Sequence, residues 1–242
     1  MIDTHCHILP GIDDGARTMD EAVEMARMAA ADGVKVIVAT PHWDAVSRPL
    51  DMDFLAERVA ELQARIEAEG IELRIEPGAE VMLSPDLVER AEAGDLPRLA
   101  GSEYVLVEAP AYVTWDVMRR TLFELQLRGV RLVLAHPERA GPVLEDYSRA
   151  AELSSGGIKL QVTATDLARP WTSLGWSNSV IRVARALIRD GLADLLASDA
   201  HGVKGAPPGL TRVRRLVERL GGRGTFERLT VSGPMAILNS RA

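Results

Sequence analysis

The sequence predicts an α/β fold in which seven parallel strands close, or nearly close, into a TIM-like barrel. Two observations predict it. Short apolar runs alternate with amphipathic segments along the whole chain, which is the signature of consecutive βα units. Gly33, Gly70, Gly94, Gly129, Gly157 and Gly191 each stand where an amphipathic segment gives way to the next apolar run, as a left-handed helix C-cap requires. An open doubly wound sheet is the main alternative.

The first strand is Met1 to Thr4 and leads into His5 and His7. Thr18, with Glu21 three residues later, forms a capping box for a helix running to Asp32. Val34 to Ala39 is the second strand, closed by TPH with His42. Ile71 to Ile75 is the third, followed by GAE with Glu80; Ser84 and Pro85 then offer an N-cap and a first-turn proline for another helix. Tyr104 to Val107 is the fourth and runs into VEAP with Glu108. Val130 to Ala135 is the fifth, ending in AHPER with His136, and Ile158 to Thr163 is the sixth. Leu192 to Ala197 is the seventh and ends in ASDAH with Asp199 and His201. Gly221-Gly222-Arg223-Gly224 follows a helix instead of a strand and reads as a hinge or cap. Thr225 to Ala242 is either a last helix covering the barrel or an assembly surface.

With 242 residues, 47% apolar, the chain can bury one sizeable core, and it is read as a single domain over residues 1–242. No repeat or long linker divides it. A net charge of -7 argues against a surface built for nucleic acid. One cysteine allows no internal disulfide, and no signal peptide or apolar run of about 20 residues is present, so a cytoplasmic chain without membrane insertion is expected.

All five histidines of the chain fall at the strand ends. Taken singly, a histidine is more often a satisfied core residue than a ligand, and Glu80 or Glu108 alone would more often be solvated or ion-paired. The joint pattern changes that reading. His5 and His7, spaced by two, face the same side of a strand. Carboxylates that close apolar strands need partners, and cations supply them. His5, His7, Asp14, His42, Glu80, Glu108, His136, Asp199 and His201 form a nitrogen and oxygen set large enough for two or three divalent ions. Ligand chemistry alone suits Mn²⁺, Fe²⁺, Co²⁺ or Zn²⁺. A cysteine-based phosphatase is excluded, because that chemistry needs Arg six positions after the nucleophile and Cys6 has Ile12 there. Cys6, the middle of HCH, is expected to face away from the histidines into the packed side of the strand.

The ordered set HCHILPGIDDGA, ATPH, GAE, VEAP, AHPER, QVTA and ASDAH resembles the PHP (polymerase and histidinol phosphatase) superfamily. Within it, HILPGIDDG is similar to the bacterial manganese-dependent protein-tyrosine phosphatases of capsule and exopolysaccharide biosynthesis. The resemblance implies a distorted seven-stranded (β/α) barrel, the PHP fold, with a trinuclear metal centre and Mn²⁺ as the first choice of ion. It implies that His5, His7, Glu80 and Asp199 hold one ion, that Glu80, Glu108 and His136 hold a second, and that Asp14, His42 and His201 hold a third. Asp3 would orient a ligand histidine from behind. A phosphoester hydrolase follows, with His42, Asp199 and Arg139 carrying the chemistry and Arg139 gripping phosphate; the general acid is unassigned. The implied substrate is a phosphotyrosine protein, the tail of a bacterial tyrosine autokinase.

The chain departs from the family at three places, the first being Cys6, which stands where serine is common. Where the family carries an arginine after ASDAH, GVKGAPPG has Ala206, which moves a phosphate contact to Lys204 or removes it. The stretch WDAVSRPLDM after His42 also differs from the usual continuation. These differences keep a small-molecule phosphatase of the histidinol-phosphate kind, or another PHP phosphoesterase, as the alternative. An amidohydrolase is less favoured, since glutamates end strands three and four and the last motif is Asp-Ala-His. A protein that merely binds metal would need a closed coordination sphere.

Overall fold

Seven strand positions form one parallel barrel, and two of them are broken in the middle. The computed structural model describes residues 1–44, 51–110, 112–169 and 175–240. The strands are β1 (Ile2–Cys6), β2 (Val36–Ala39), β3 (His42–Trp43), β4 (Arg74–Pro77), β5 (Glu80–Met82), β6 (Tyr104–Glu108), β7 (Arg131–Ala135), β8 (Lys159–Thr163) and β9 (Leu195–Ala197). One sheet runs β1-β2-β4 and the other β3-β5-β6-β7-β8-β9, with every pair parallel. β3 continues the line of β2, and β5 continues β4. The break in the first line falls at Thr40-Pro41, where proline has no N–H to give the ladder. The break in the second falls at Gly78, whose Cβ would lie 2.8 Å from Val38 Cγ1, so only glycine lets the two lines approach. Closure comes from β9 returning to β1: Asp199 N donates to His5 O and His7 N to Ala200 O, both at 2.9 Å. The alternative of an open sheet is thereby ruled out.

Helices α1 (Met19–Ala31), α2 (Met52–Ala68), α3 (Leu87–Glu92), α4 (Trp115–Leu127), α5 (Gly141–Glu145), α6 (Ser148–Ser155), α7 (Ala164–Ala168), α8 (Gly175–Arg189) and α9 (Arg214–Gly221) connect or follow the strands. All six predicted cap glycines have φ between 69° and 91°. Gly222 caps α9 with φ 90°. Thr18 accepts from Glu21 N as expected, but Glu21 Oε2 takes the amide of Arg17 instead of Thr18, so half of the capping box forms. Ser84 is not a cap. α3 begins at Leu87 after Asp86, and Ser84 contributes only its carbonyl to Leu87 N. Ala45 to Leu50, within the atypical WDAVSRPLDM stretch, lie outside the described residues, as do residues 241–242.

The register separates an inner from an outer face. Ile37, Val105, Val107, Leu132, Leu134, Leu160, Val162 and Leu196 join the core under the helices, Cys6 among them and fully buried as expected. Val38, Leu106, Val133, Ala135 and Leu195 form a second cluster inside the barrel, closed by Leu99 and by Ile237. Ile237 lies on α11 (Gly233–Leu238), which continues α10 (Thr225–Glu227) through one π-helical turn at Arg228–Ser232. It is 3% exposed, and burying one such side chain contributes about 1.5–3 kcal/mol. The C-terminal segment therefore floors the barrel. Among the described residues no helix is long and apolar enough to cross a membrane.

Candidate metal centre

Above that apolar floor the inward positions turn polar. In register, His42 pairs with Glu80, Glu80 with Leu106, Met82 with Glu108, and Glu108 with Ala135, so His42, Glu80 and Glu108 share the inner face. An extra residue between Asp3 and Cys6 shifts the β1 register. After it Cys6 points outward, and His5 and His7 on either side point in, with their Nε2 atoms 3.1 Å apart. His136 and Asp199 follow the ends of β7 and β9 in left-handed backbone, φ 30° and 52°. Among described residues only Ala100 shares that feature outside glycine. Pro137 steers His136 away from the right-handed helical region, and strain of this kind concentrates at functional sites.

The structure brings all nine candidate ligands together at one barrel mouth. Nitrogen and oxygen atoms within 4.8 Å of one another fall into four overlapping groups: His7, Asp14, His42 and His201; His5, His136 and Asp199; His5, His7 and Glu80; and His42, Glu80 and Glu108. These differ from the division implied by the family resemblance in placing His136 with His5 and Asp199, His42 with Glu80 and Glu108, and His7 also with Asp14, His42 and His201. His136 Nε2 nevertheless lies 2.8 Å from Glu80 Oε1 and 3.8 Å from Glu108 Oε1. His5, His7, Glu80, His136 and Asp199 are at most 4% exposed. Asp14, His42, Glu108 and His201 line the open side, with side-chain exposures of 70%, 33%, 23% and 27%.

This donor set fits divalent cations. His5 Nε2 lies 3.4 Å from both Glu80 and Asp199, and His7 Nε2 lies 3.4 and 3.6 Å from the same two residues. Ligands held about 2.1 Å from an ion stand about 3.0–3.4 Å apart, so these spacings are close to those a shared ion would set. Glu80 Oε2 makes no aligned hydrogen bond although His42 Nδ1 is 2.9 Å away; such atoms face a common point instead of each other. The histidines are also oriented from behind, as metal-ligating histidines are. His7 Nδ1 meets Asp13 Oδ2 at 2.7 Å, His201 Nδ1 meets the Asp199 carbonyl at 2.9 Å, and His5 Nδ1 meets the Gln161 amide at 2.9 Å. For His7 and His201 an acceptor at Nδ1 leaves Nε2 for the cluster; at His5 the Gln161 amide donates to Nδ1, and with that amide turned over its unpartnered Oε1 would accept from Nδ1–H and free Nε2 in the same way.

The charges in the cluster act on one another at close range. Burial pushes the Glu80 carboxyl up, but the surrounding His5, His136 and His42 hold it well below its ordinary range. Burial lowers His136, and Glu80 overrides this to lift it to about 9. Burial and then the Glu80 charge raise Glu108. His201 is depressed by burial and by His7.

Asp13 is a residue that the sequence reading missed. Its carboxylate is buried, accepts from His7 Nδ1, His42 N and Gly15 N, and stands at about 2 because those bonds outweigh its burial. Asp3 does not orient a ring. Its Oδ1 accepts from Ser198 N at 2.9 Å and His5 N at 3.4 Å, which ties β1 to β9 by the backbone. Arg139 reaches the cluster edge, with Nη1 2.7 Å from Asp199 Oδ2. Lys204 is exposed and lines an open groove of about 560 Å³ together with Asp14, Arg17 and His201.

The family model for capsular polysaccharide synthesis, CpsB/CapC, matches residues 1–239. The chain belongs to the CpsB/CapC family. It is 32% identical over 204 residues to the tyrosine-protein phosphatase YwqE of Bacillus subtilis, covering 84% of this chain and 78% of that one. It is 27% identical over 242 residues to the tyrosine-protein phosphatase CpsB of Streptococcus pneumoniae, covering 98% of each. A crystal structure from a study of YwqE and CpsB, described as metal-dependent tyrosine phosphatases, superposes with TM-score 0.89 at 29% identity, covering 100% of this chain and 96% of that one. The lactonase Lmo2620 of Listeria monocytogenes superposes with TM-score 0.63 at 13% identity, over 100% of this chain and 95% of that one, and shares the fold alone. In this CpsB/CapC chain the barrel is thus the distorted TIM-like architecture expected from the sequence.

Proposed function

We propose that this CpsB/CapC chain is a metal-dependent protein-tyrosine phosphatase. The observation that carries the reading is the convergence of nine nitrogen and oxygen ligands at one barrel mouth, in a chain whose relatives are named tyrosine-protein phosphatases. His5, His7, Asp14, His42, Glu80, Glu108, His136, Asp199 and His201 would hold two or three divalent ions, Mn²⁺ foremost. Two such ions balance the carboxylates of Asp14, Glu80, Glu108 and Asp199, and a third leaves positive charge for a phosphate dianion. When bound, the ions lower the pKa of water and offset charge on the transferring phosphoryl group.

The chain's own residues do the rest. Asp13, Gln161 and the Asp199 carbonyl fix the rings of His7, His5 and His201. Arg139 presents a guanidinium, 28% exposed, to phosphate oxygens. Lys204 lines the groove beside the cluster, two residues before Ala206, and would supply a second cation to the substrate. A tyrosine leaving group, with a pKa near ~10, departs with less protonation than an alkoxide needs. His42 and Asp199 hold the reacting centre as ligands and are counted in the catalytic set with Arg139. The substrate is a phosphotyrosine protein in the cytoplasm, the tail of a tyrosine autokinase that controls polysaccharide export.

The test is phosphate release from a phosphotyrosine peptide with Mn²⁺, beside a phosphoserine peptide and a His42→Ala control. Release from phosphotyrosine well above both is expected. Equal rates for the wild-type chain and the control would overturn the assignment.

A further inference from the structure

Asp166 belongs to no ligand group and to no motif with an assigned role, yet it is 1% exposed. It lies on α7, directly after β8. Its Oδ2 accepts from Arg139 Nε at 2.6 Å, and its Oδ1 is 3.1 Å from Arg169 Nε. Arg139 is therefore held between two carboxylates from neighbouring strand ends, Asp166 by Nε and Asp199 by Nη1.

We propose that Asp166 is a positioning residue that holds the Arg139 guanidinium open toward substrate phosphate. This rests on the phosphatase reading above. With Asp199 as its one paired carboxylate, the half-buried Arg139 would close on it in a bidentate fork, the geometry that guanidinium and carboxylate prefer. That fork would compete with the cluster for Asp199 and with phosphate for Arg139. Anchoring Nε on Asp166 prevents the collapse, since the end of the fork is then free to share Asp199 and still face the mouth. Asp166 also matches the charge of Arg139, so the arginine keeps a partner when the charge of Asp199 is engaged by a cation. Arg169, 47% exposed, braces Asp166 from the solvent side.

The experiment is a double-mutant cycle of Asp166→Asn with Arg139→Ala in the Mn²⁺-loaded chain, read as KM and kcat for an aryl phosphate and as the Kd of inorganic phosphate by calorimetry. In the wild-type background Asp166→Asn should raise KM and the phosphate Kd about tenfold, with kcat and metal content changed less than threefold. In the Arg139→Ala background it should change either constant less than twofold. Asp166→Glu, which keeps the charge, should fall between wild type and Asn, and it carries the cycle if Asp166→Asn does not accumulate. Equal effects in both backgrounds, or an unchanged KM and Kd in the wild-type background, would overturn the proposal and leave Asp166 a structural residue. If the wild-type chain hydrolyses no phosphoester, the phosphatase reading fails, while the phosphate Kd cycle still decides whether Asp166 acts through Arg139.

Discussion

Replacing Glu80 by glutamine tests the centre of the cluster with almost no change of shape. Glu80 lies within 3.4 Å of His5, His7, His42 and His136 and is 1% exposed. In the metal-free chain it is the main reason that His136 stands at about 9 instead of 6.5. A raised histidine pKa contributes stability that is fully present below the unfolded value and is lost as pH rises through the folded one. For His136 that contribution is about 3 kcal/mol near pH 6 and about half of that at pH 8. For a chain of this size about 3 kcal/mol is roughly 6–12 °C in Tm. Neutralising a buried carboxylate also removes its desolvation cost, so the pH trend carries the test and the absolute Tm does not. The Tm difference between wild type and Glu80→Gln, both metal-free, should shrink steadily from pH 6 to pH 9 in scanning calorimetry. With Mn²⁺ present, Glu80→Gln should lose at least one ion per chain and about 10³ in kcat/KM, as expected when several kcal/mol of charge stabilisation is removed. Full metal content with kcat/KM within threefold of wild type would refute the reasoning.

The protonated state of His136 also sets how metal loading responds to pH. Ligation needs the neutral ring, so apparent Mn²⁺ affinity should rise from pH 7 to pH 9 and level off above it, with proton release seen by calorimetry in buffers of different ionisation enthalpy; affinity that is flat over this range would contradict the pairing with Glu80. Asp13→Asn should weaken Mn²⁺ binding about 10- to 100-fold, the usual cost of losing the group behind a ligating histidine; a chelator-competition titration measures it. Gly15→Ala would put a Cβ onto the His7 carbonyl and 2.5 Å from His7 Cβ, so the variant should lose metal content and stability together. Cys6→Ser should keep kcat within a few-fold, and iodoacetamide should leave the native chain active, because the thiol is fully buried and burial raises its pKa.

The barrel was legible in the sequence wherever one strand corresponds to one apolar run. All seven runs overlap observed strands, because period and cap glycines are local properties. The broken strands were not legible. The third run, Ile71 to Ile75, overlaps only the start of β4, and Glu80, expected just past a strand, lies within β5. Gly78 and Pro41 mark those breaks, but their meaning depends on how closely neighbouring strands approach. The candidate ligands stood out because five histidines at strand ends are a pattern in one dimension. The residues behind them did not. Nothing in the Asp13-Asp14 pair says which carboxylate turns inward against His7 and which faces solvent beside His42 and His201. Asp166 carries no motif at all, and only the fold brings it to Arg139. Ser84 misled because a cap signature followed by proline also fits the turn that precedes α3.

The most direct measurement strips the chain with a chelator, reloads it with Mn²⁺ of known stoichiometry, and follows phosphate release from a phosphotyrosine peptide at each loading. The account predicts negligible release from the stripped chain and full recovery at two to three ions per chain. A stripped chain that keeps its rate, or a fully loaded chain that releases no phosphate, would contradict it.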